Sequence, residues 1–414
     1  HALDTVTGQE LDRPIVRGAD AGVMLDGMTD PARGSGRAAP IVGYGHRAIM
    51  GRAVHFGPSI GPESVRYTRR PMSQLAVDPA TDPEATRERV FSGIQPSGAS
   101  HLGNYLGAQV NYVAMQDQYD AIYGIVDLHA MTTVHDGTQL RELTRNMVLD
   151  LLAVGLDPDR CAIIRQSDFP EHSELMWIFD TVVPVSWLER NPTYKEARAE
   201  GKENSNGLLT YPVLQAADIV IYKASRVPVG KDQAAHLELS REIVRAFNRR
   251  YGEIFPEPQA VFTDAPVVLG IDGQRKMSKS AGNTIPIFAE PDEIHRLVMS
   301  MVTDPQRIKR SDPGRPEVCN VCGNLHRFFS PDYLQIQEGE RTARTGCVET
   351  KQLLAERIIE FFRPMREKRR QLAAEPAYVE EVLAAGAAKV RPIIDATMAE
   401  VRAVVGIGRP SGGA

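Results

Sequence analysis

From Arg89 onward, short apolar runs alternate with stretches whose apolar residues recur every three or four positions. RVFSGI at 89–94, DAIYGIV at 120–126 and CAIIRQS at 161–167 read as strands. His101 to about Gln118, residues 137–154 and ELMWIFDTVV at 174–183 carry helical spacing. In the second of these, Leu140, Leu143, Met147, Leu151 and Leu152 share one face. Strands alternating with helices of this length form βαβ units, and such units build a parallel sheet. Ligands on parallel sheets sit at the carboxyl ends of the strands. Residues 232–249 read as a further helix, and beyond about Thr284 the strand signals fade. Residues 350–371 and 377–404 read as long helices, with Pro392 expected to kink or split the second near Arg391. The fold class expected is α/β, with a C-terminal α-helical part.

A chain of 414 residues has room for two or three domains. Its 42% hydrophobic and 24% charged residues are ordinary for a globular protein. No run approaches the roughly 20 apolar residues that span a bilayer, and no compact apolar secretory segment stands near the start, so the address expected is cytoplasmic, with no membrane partner. A net charge of −5 leaves nucleic acid as a partner only through local basic patches. Two are visible: Arg307, Lys309 and Arg310, then Arg363, Arg366, Lys368, Arg369 and Arg370. Residues 1–88 hold no lysine, are rich in Gly, Ala, Pro and Arg, and show no sustained period. They read as a disordered leader, or else a targeting or regulatory arm, and Met72 could be the natural start.

Two motifs carry chemistry. In residues 91–108, FSGIQPSGASHLGNYLGA, a strand runs through a Gly-containing turn into a helix, an arrangement suited to phosphate because helix N-terminal N–H groups are unpaired. The second is Lys276-Met-Ser-Lys-Ser280, preceded by Gly270-Ile-Asp-Gly273 and followed by Ala-Gly-Asn283. Two lysines three apart on a polar loop can neutralise charge growing on a leaving pyrophosphate. Alone, each motif reads equally as a structural turn or a solvated loop.

Together and in this order, PSGASHLGN and KMSKS resemble the two signatures of class I aminoacyl-tRNA synthetases. His101-Leu102-Gly103-Asn104 stands where that family has its HIGH tetrapeptide. Tyr211 to Val220, YPVLQAADIV, and Val227 to Leu239, VPVGKDQAAHLEL, resemble the tryptophanyl branch. The resemblance runs from about Arg89 to about Gly406. It implies a Rossmann-like parallel-sheet catalytic domain at 89–283, a mainly helical anticodon-recognition region at 284–406 and a flexible tail at 407–414. It also implies a homodimer that uses ATP with Mg²⁺, activates tryptophan and loads tRNA(Trp), with no DNA partner. The tyrosyl enzyme and a non-catalytic, regulatory paralogue are the alternatives.

The same resemblance implies the site. Asn104, Lys276 and Lys279 would be catalytic. Gln95, Pro96, Ser97, Gly103, Asn104, Gly230, Lys231, Asp232, Val267, Lys276, Met277, Ser278, Lys279 and Ser280 would meet ATP. Lys231 stands where the family has an acid. Asp218, with Phe91, His129, Tyr211, Gln215 and Gln233, would meet tryptophan. A carboxylate in a mostly apolar slot is a strong acceptor for the indole N–H, the side chain's single donor, although a phenol could also use it.

Some bacterial members of the branch hold a [4Fe–4S] cluster on four cysteines. Here Cys319 and Cys347 match two of the places, with Glu340 and Thr350 at the others. Such clusters take four thiolates. Cys319, Cys322, His326 and Cys347 are an alternative zinc set. Free thiols are the expectation.

Overall fold

A computed structural model describes residues 87–201, 205–229, 234–262 and 267–408. The expected leader, apart from its last two residues, and the tail beyond residue 408 lie outside the described residues. Five parallel strands, β1 (Arg89–Ile94), β2 (Asp120–Ile125), β3 (Ala162–Arg165), β4 (Arg226–Val229) and β5 (Gln259–Phe262), are ordered β3-β2-β1-β4-β5. β1 pairs along its length with β2, from Arg89 opposite Asp120 to Ile94 opposite Ile125, and meets β4 at Val90 and Arg226. The chain steps outward to β3, then returns to β1's other side. The order therefore reverses between β1 and β4, and a crevice opens at such a point.

The strand expected at 161–167 stops at Arg165. Gln166 and Ser167 turn away because Gln166 Oε1 accepts from Leu128 N at 3.1 Å and Ser167 N donates to Asp127 at 3.0 Å. β4 and β5 carry no strand signal of their own. Pro228 interrupts the first with a residue that cannot donate, and the second is a half-exposed edge.

The helices follow their apolar faces. The helical stretch from Leu102 to Met115 (α1) loosens to π-type turns at Tyr105–Gln109. Then come α2 (Gly137–Val154), capped by Asp136, α3 (Glu171–Asp180), α4 (Asn206–Val220), capped by Ser205, and α5 (Ala234–Tyr251). α3 starts earlier than its apolar run, since Glu171 and Glu174 suit the positive end of a helix. Further on are α6 (Pro291–Ser300), α7 (Tyr333–Arg341), α8 (Cys347–Ala373) and α9 (Pro376–Val405).

Pro392 does not split α9. Val390, Ile394, Met398 and Val401 pack with α3, α4 and α5 on one side of the sheet, while Val379, Val382 and Leu383 join α2 on the other. This two-sided burial offsets the hydrogen bond that Pro392 cannot make. Between the two groups, Gly386 runs so close to β3 that a Cβ there would lie 2.0 Å from Ile163 O. α9 thus covers an edge strand. Among the described residues no helix is long and apolar enough to cross a membrane.

Candidate active site

A cavity of about 1350 Å³ opens at the β1–β4 switch. Its lining brings together Gln95, Ser97, Gly103 and Asn104 from the first motif and Lys276, Met277, Ser278, Lys279 and Ser280 from the second, with Val267 from the segment before it. Phe91, His129, Tyr211, Gln215 and Asp218 complete the other end. Pro96 is buried and is not in the lining. Gly230, Lys231, Asp232 and Gln233 lie outside the described residues.

The first motif is built by reciprocal bonds. His101 Nδ1 accepts from Asn104 N at 3.3 Å, and Asn104 Oδ1 accepts from His101 N at 3.2 Å. The amide oxygen of Asn104 is therefore occupied, which leaves its NH₂ donors for the cavity. Burial, helped by the Lys279 charge, brings His101 down to about 4, so the imidazole is neutral and Nδ1 is an acceptor. Beneath the turn, buried Asp150 accepts from Ser100 N at 3.1 Å and from Arg369 Nε at 2.6 Å.

The second motif hangs on a tight hairpin. Leu269 and Lys276 pair antiparallel, Met277 N donates to Val268 O at 2.8 Å, and Asp272 Oδ1 accepts from Gln274 N and Arg275 N. Asn283 organises the loop from within. Its Nδ2 donates to Asp272 Oδ2 at 3.0 Å and Lys276 O at 3.3 Å, and its Oδ1 accepts from Ser278 N at 2.8 Å.

The motifs, about 180 residues apart in the chain, touch. Lys279 Nζ donates to Gly98 O at 2.8 Å and to Ser97 Oγ at 3.3 Å. Gly98 has φ +114, a conformation that glycine adopts readily. Leu102 N donates to Ile285 O and Ile287 N to Ser100 O, both at 3.0 Å, so the segment after the loop is zipped onto the first motif. Burial lowers the pKa of Lys279, with Asp150 acting the other way.

At the other end, Asp218 sits on α4 and is almost wholly buried. Its Oδ1 accepts from Gln166 Nε2 at 2.7 Å and lies 2.7 Å from His172 Nδ1; its Oδ2 lies 2.8 Å from His129 Nε2. Burial opposes its charge, but the bonds from the two histidines prevail and hold the carboxyl at about 2. His172 Nε2 is 2.8 Å from the Tyr222 hydroxyl, and Tyr222 stacks on Phe91 with centroids 5.2 Å apart. Gln166, His172 and Tyr222 escape a motif search. A signal for His172 exists nonetheless: it shares a helical face with Leu175 and Phe179.

The basic stretches are largely engaged within the chain. Arg369 pairs with Asp150, Arg370 with Glu290 and Arg363 with Glu360 and Glu367. Arg366 is buried and donates to Ile359 O, while Arg307 donates to Thr345 O. Neither sequence-derived metal set is assembled. His326 uses Nδ1 with Ser330 Oγ at 2.6 Å and Nε2 with Thr350 O at 3.0 Å. Thr350 Oγ1 donates to Gly346 O and Cys347 O, and Cys347 Sγ lies 3.9 Å from Arg307 Nη1. These polar partners hold His326 and Cys347 apart from the Cys319–Cys322 pair.

Comparison with known proteins agrees with this geometry. The family model for class I tRNA synthetases (W and Y) matches residues 84–363. The chain belongs to that class of synthetases. It is 46% identical over 325 residues to the tryptophan–tRNA ligase of Deinococcus radiodurans, covering 77% of this chain and 98% of the relative. It is 44% identical over 322 residues to that of Thermotoga maritima, covering 76% and 98%. The tryptophanyl-tRNA synthetase of Campylobacter jejuni, solved with ADP and tryptophan, superposes with a TM-score of 0.72 at 36% identity, covering 77% of this chain and all of that one. Within the family, this chain therefore sits with the tryptophan–tRNA ligases.

Proposed function

We propose that the chain activates L-tryptophan with ATP and transfers it to tRNA(Trp). The observation that carries this is the 2.8 Å contact from Lys279 Nζ to Gly98 O, which puts both signature motifs on one cavity whose far end holds Asp218. The tryptophan carboxylate attacks the α-phosphorus, and pyrophosphate leaves; a terminal ribose hydroxyl of the tRNA then attacks the carbonyl carbon of the adenylate, and AMP leaves. No protein nucleophile is needed. Asn104 offers amide donors to the triphosphate, and Lys276 and Lys279 balance charge on the departing pyrophosphate. Asp218 has three of its roughly four lone-pair positions filled. The remaining one on Oδ2 is free to accept the indole N–H.

Asp218 is the one carboxylate among the described lining residues; three of its lone-pair positions are engaged within the chain and the fourth is assigned to the indole N–H. Mg²⁺ would thus find its ligands in phosphate oxygens and water, entering the cavity as part of the nucleotide substrate. Recognition of tRNA is assigned to the helical region at 284–406. A homodimer would cover apolar side chains such as Trp177 and Val185, which are 71% and 60% exposed. Tryptophan-dependent ATP–pyrophosphate exchange on the full chain, with tyrosine as control, tests the proposal. Exchange with tryptophan alone supports it; exchange with tyrosine, or with neither, overturns it.

A further inference from the structure

Away from the crevice, two thiols and a carboxylate meet in the core of the helical region. Cys319, Cys322 and Glu340 are 2%, 1% and 0% exposed, and one ligand atom from each lies within 4.8 Å of the other two. Cys319 caps the turn Asn320–Leu325, its Sγ accepting from Cys322 N at 3.4 Å. Gly323 N closes this Cys-x-x-Cys knuckle on Cys319 O at 2.8 Å. Glycine is required at 323, because a Cβ would lie 1.7 Å from Pro316 O. Glu340 enters from the end of α7, and Gly314 leaves room for it: a Cβ there would lie 2.4 Å from Glu340 Cγ.

Neither carboxylate oxygen of Glu340 has a hydrogen-bond partner among the described residues. An isolated buried carboxylate is strongly unfavourable, and protonation would still leave polar atoms unsatisfied. A bound cation resolves both difficulties.

We infer that Cys319, Cys322 and Glu340 bind a single divalent metal ion, zinc by the chemistry of the ligands. Two thiolates and a carboxylate are zinc donors, and a tetrahedral ion with bonds of about 2.3 Å sets its sulfurs about 3.8 Å apart, compatible with the spacing here. Three protein ligands leave one tetrahedral position for a further donor. Binding releases the thiol protons. The ion also has a structural reach. Asn320, between the cysteines, donates to Gly270 O at 2.8 Å, at the root of the loop that carries Lys276 and Lys279. Zinc would brace that loop against the helical region.

The test adds zinc alone to the reduced, metal-stripped full chain and measures bound metal by mass spectrometry after dialysis. An equimolar amount is expected to stay bound. Cys322→Ser and Glu340→Gln should each retain less by at least about tenfold, whereas Cys347→Ser should retain as much as the parent. X-ray absorption on the unmutated chain, which does not depend on any variant folding, should show two sulfur ligands near 2.3 Å together with oxygen. Failure of the reduced, folded chain to retain zinc would overturn the inference. So would a four-sulfur shell, iron accompanied by acid-labile sulfide, or equal zinc loss in Cys347→Ser and Cys322→Ser.

Discussion

Asp218 Oδ1 and His172 Nδ1 lie 2.7 Å apart, and the other nitrogen of that imidazole is engaged by the Tyr222 hydroxyl at 2.8 Å. Burial pushes the Tyr222 hydroxyl well above its ordinary range, so it keeps its proton. A protonated hydroxyl can donate to Nε2, which leaves Nδ1–H to donate to the carboxylate. The tautomer that serves Asp218 is thus set one residue further away.

His172→Phe removes this donor while keeping a ring in the core. Charge-assisted bonds of this kind contribute roughly 1.5–3 kcal/mol, so the KM for tryptophan should rise by about one to two orders of magnitude, with the KM for ATP little changed. Steady-state exchange kinetics with each substrate varied would check it. An equal rise in both constants would mean general disruption of the fold.

Lys279→Ala should slow adenylate formation by about 10²–10³-fold, the scale of a lost transition-state donor, while tryptophan binding falls far less. Single-turnover activation and equilibrium dialysis separate the two. Matched losses would remove the transition-state role.

Asn283→Ala takes away the bonds to Asp272, Lys276 and Ser278 together. The loop at 270–283 should exchange its amide hydrogens faster and be cut sooner by protease, and activation should fall because Lys276 and Lys279 lose their mounting. Unchanged exchange in that segment would show that the loop holds its shape by other means.

Gly386→Ala places a methyl group 2.0 Å from Ile163 O. The helix must move off β3, at a cost of about 3 kcal/mol or more. Urea unfolding should register a lower midpoint with an unchanged slope; a midpoint like the parent's would show that α9 shifts freely.

Acid should weaken the fold before it neutralises Asp218. His101 and His326 are each held at about 4, chiefly by burial, against 6.5 for the unfolded chain. Below pH 6.5 the unfolded chain takes up protons that the folded chain refuses until about 4, so stability is full above 6.5 and falls between 6.5 and 4. Asp218, at about 2, adds its own loss only below its ordinary 3.8. Urea unfolding at pH 7, 5.5 and 4.5 should show a progressive decline, shallower in His326→Gln. Constant stability down to pH 4.5 would contradict the assignment.

Much of this was legible along the chain. The runs at 89–94 and 120–126 became β1 and β2, and Met147, Leu151 and Leu152 of the expected apolar face are buried in α2, because periodicity is a local property. The family resemblance carried by residues 91–108 and 276–280 is upheld by the family match. Other features needed three dimensions. β4 is a strand because β1 and β5 flank it, despite Pro228. Pro392 stays helical because both faces of the sheet hold α9. The basic run at 363–370 is legible as a charged stretch, but the partners of Arg369 and Arg370, Asp150 and Glu290, lie far off in sequence. Likewise, only folding brings Glu340 to the Cys319–Cys322 knuckle, while His326 and Cys347, closer in spacing to a zinc motif, turn to other partners. The sequence by itself determined the alternation of strands and helices and the residues of both signature motifs, since these depend on neighbours within a few positions. The tertiary structure decided which polar groups meet, because burial, charge pairing and hydrogen bonding are settled by contacts between distant segments.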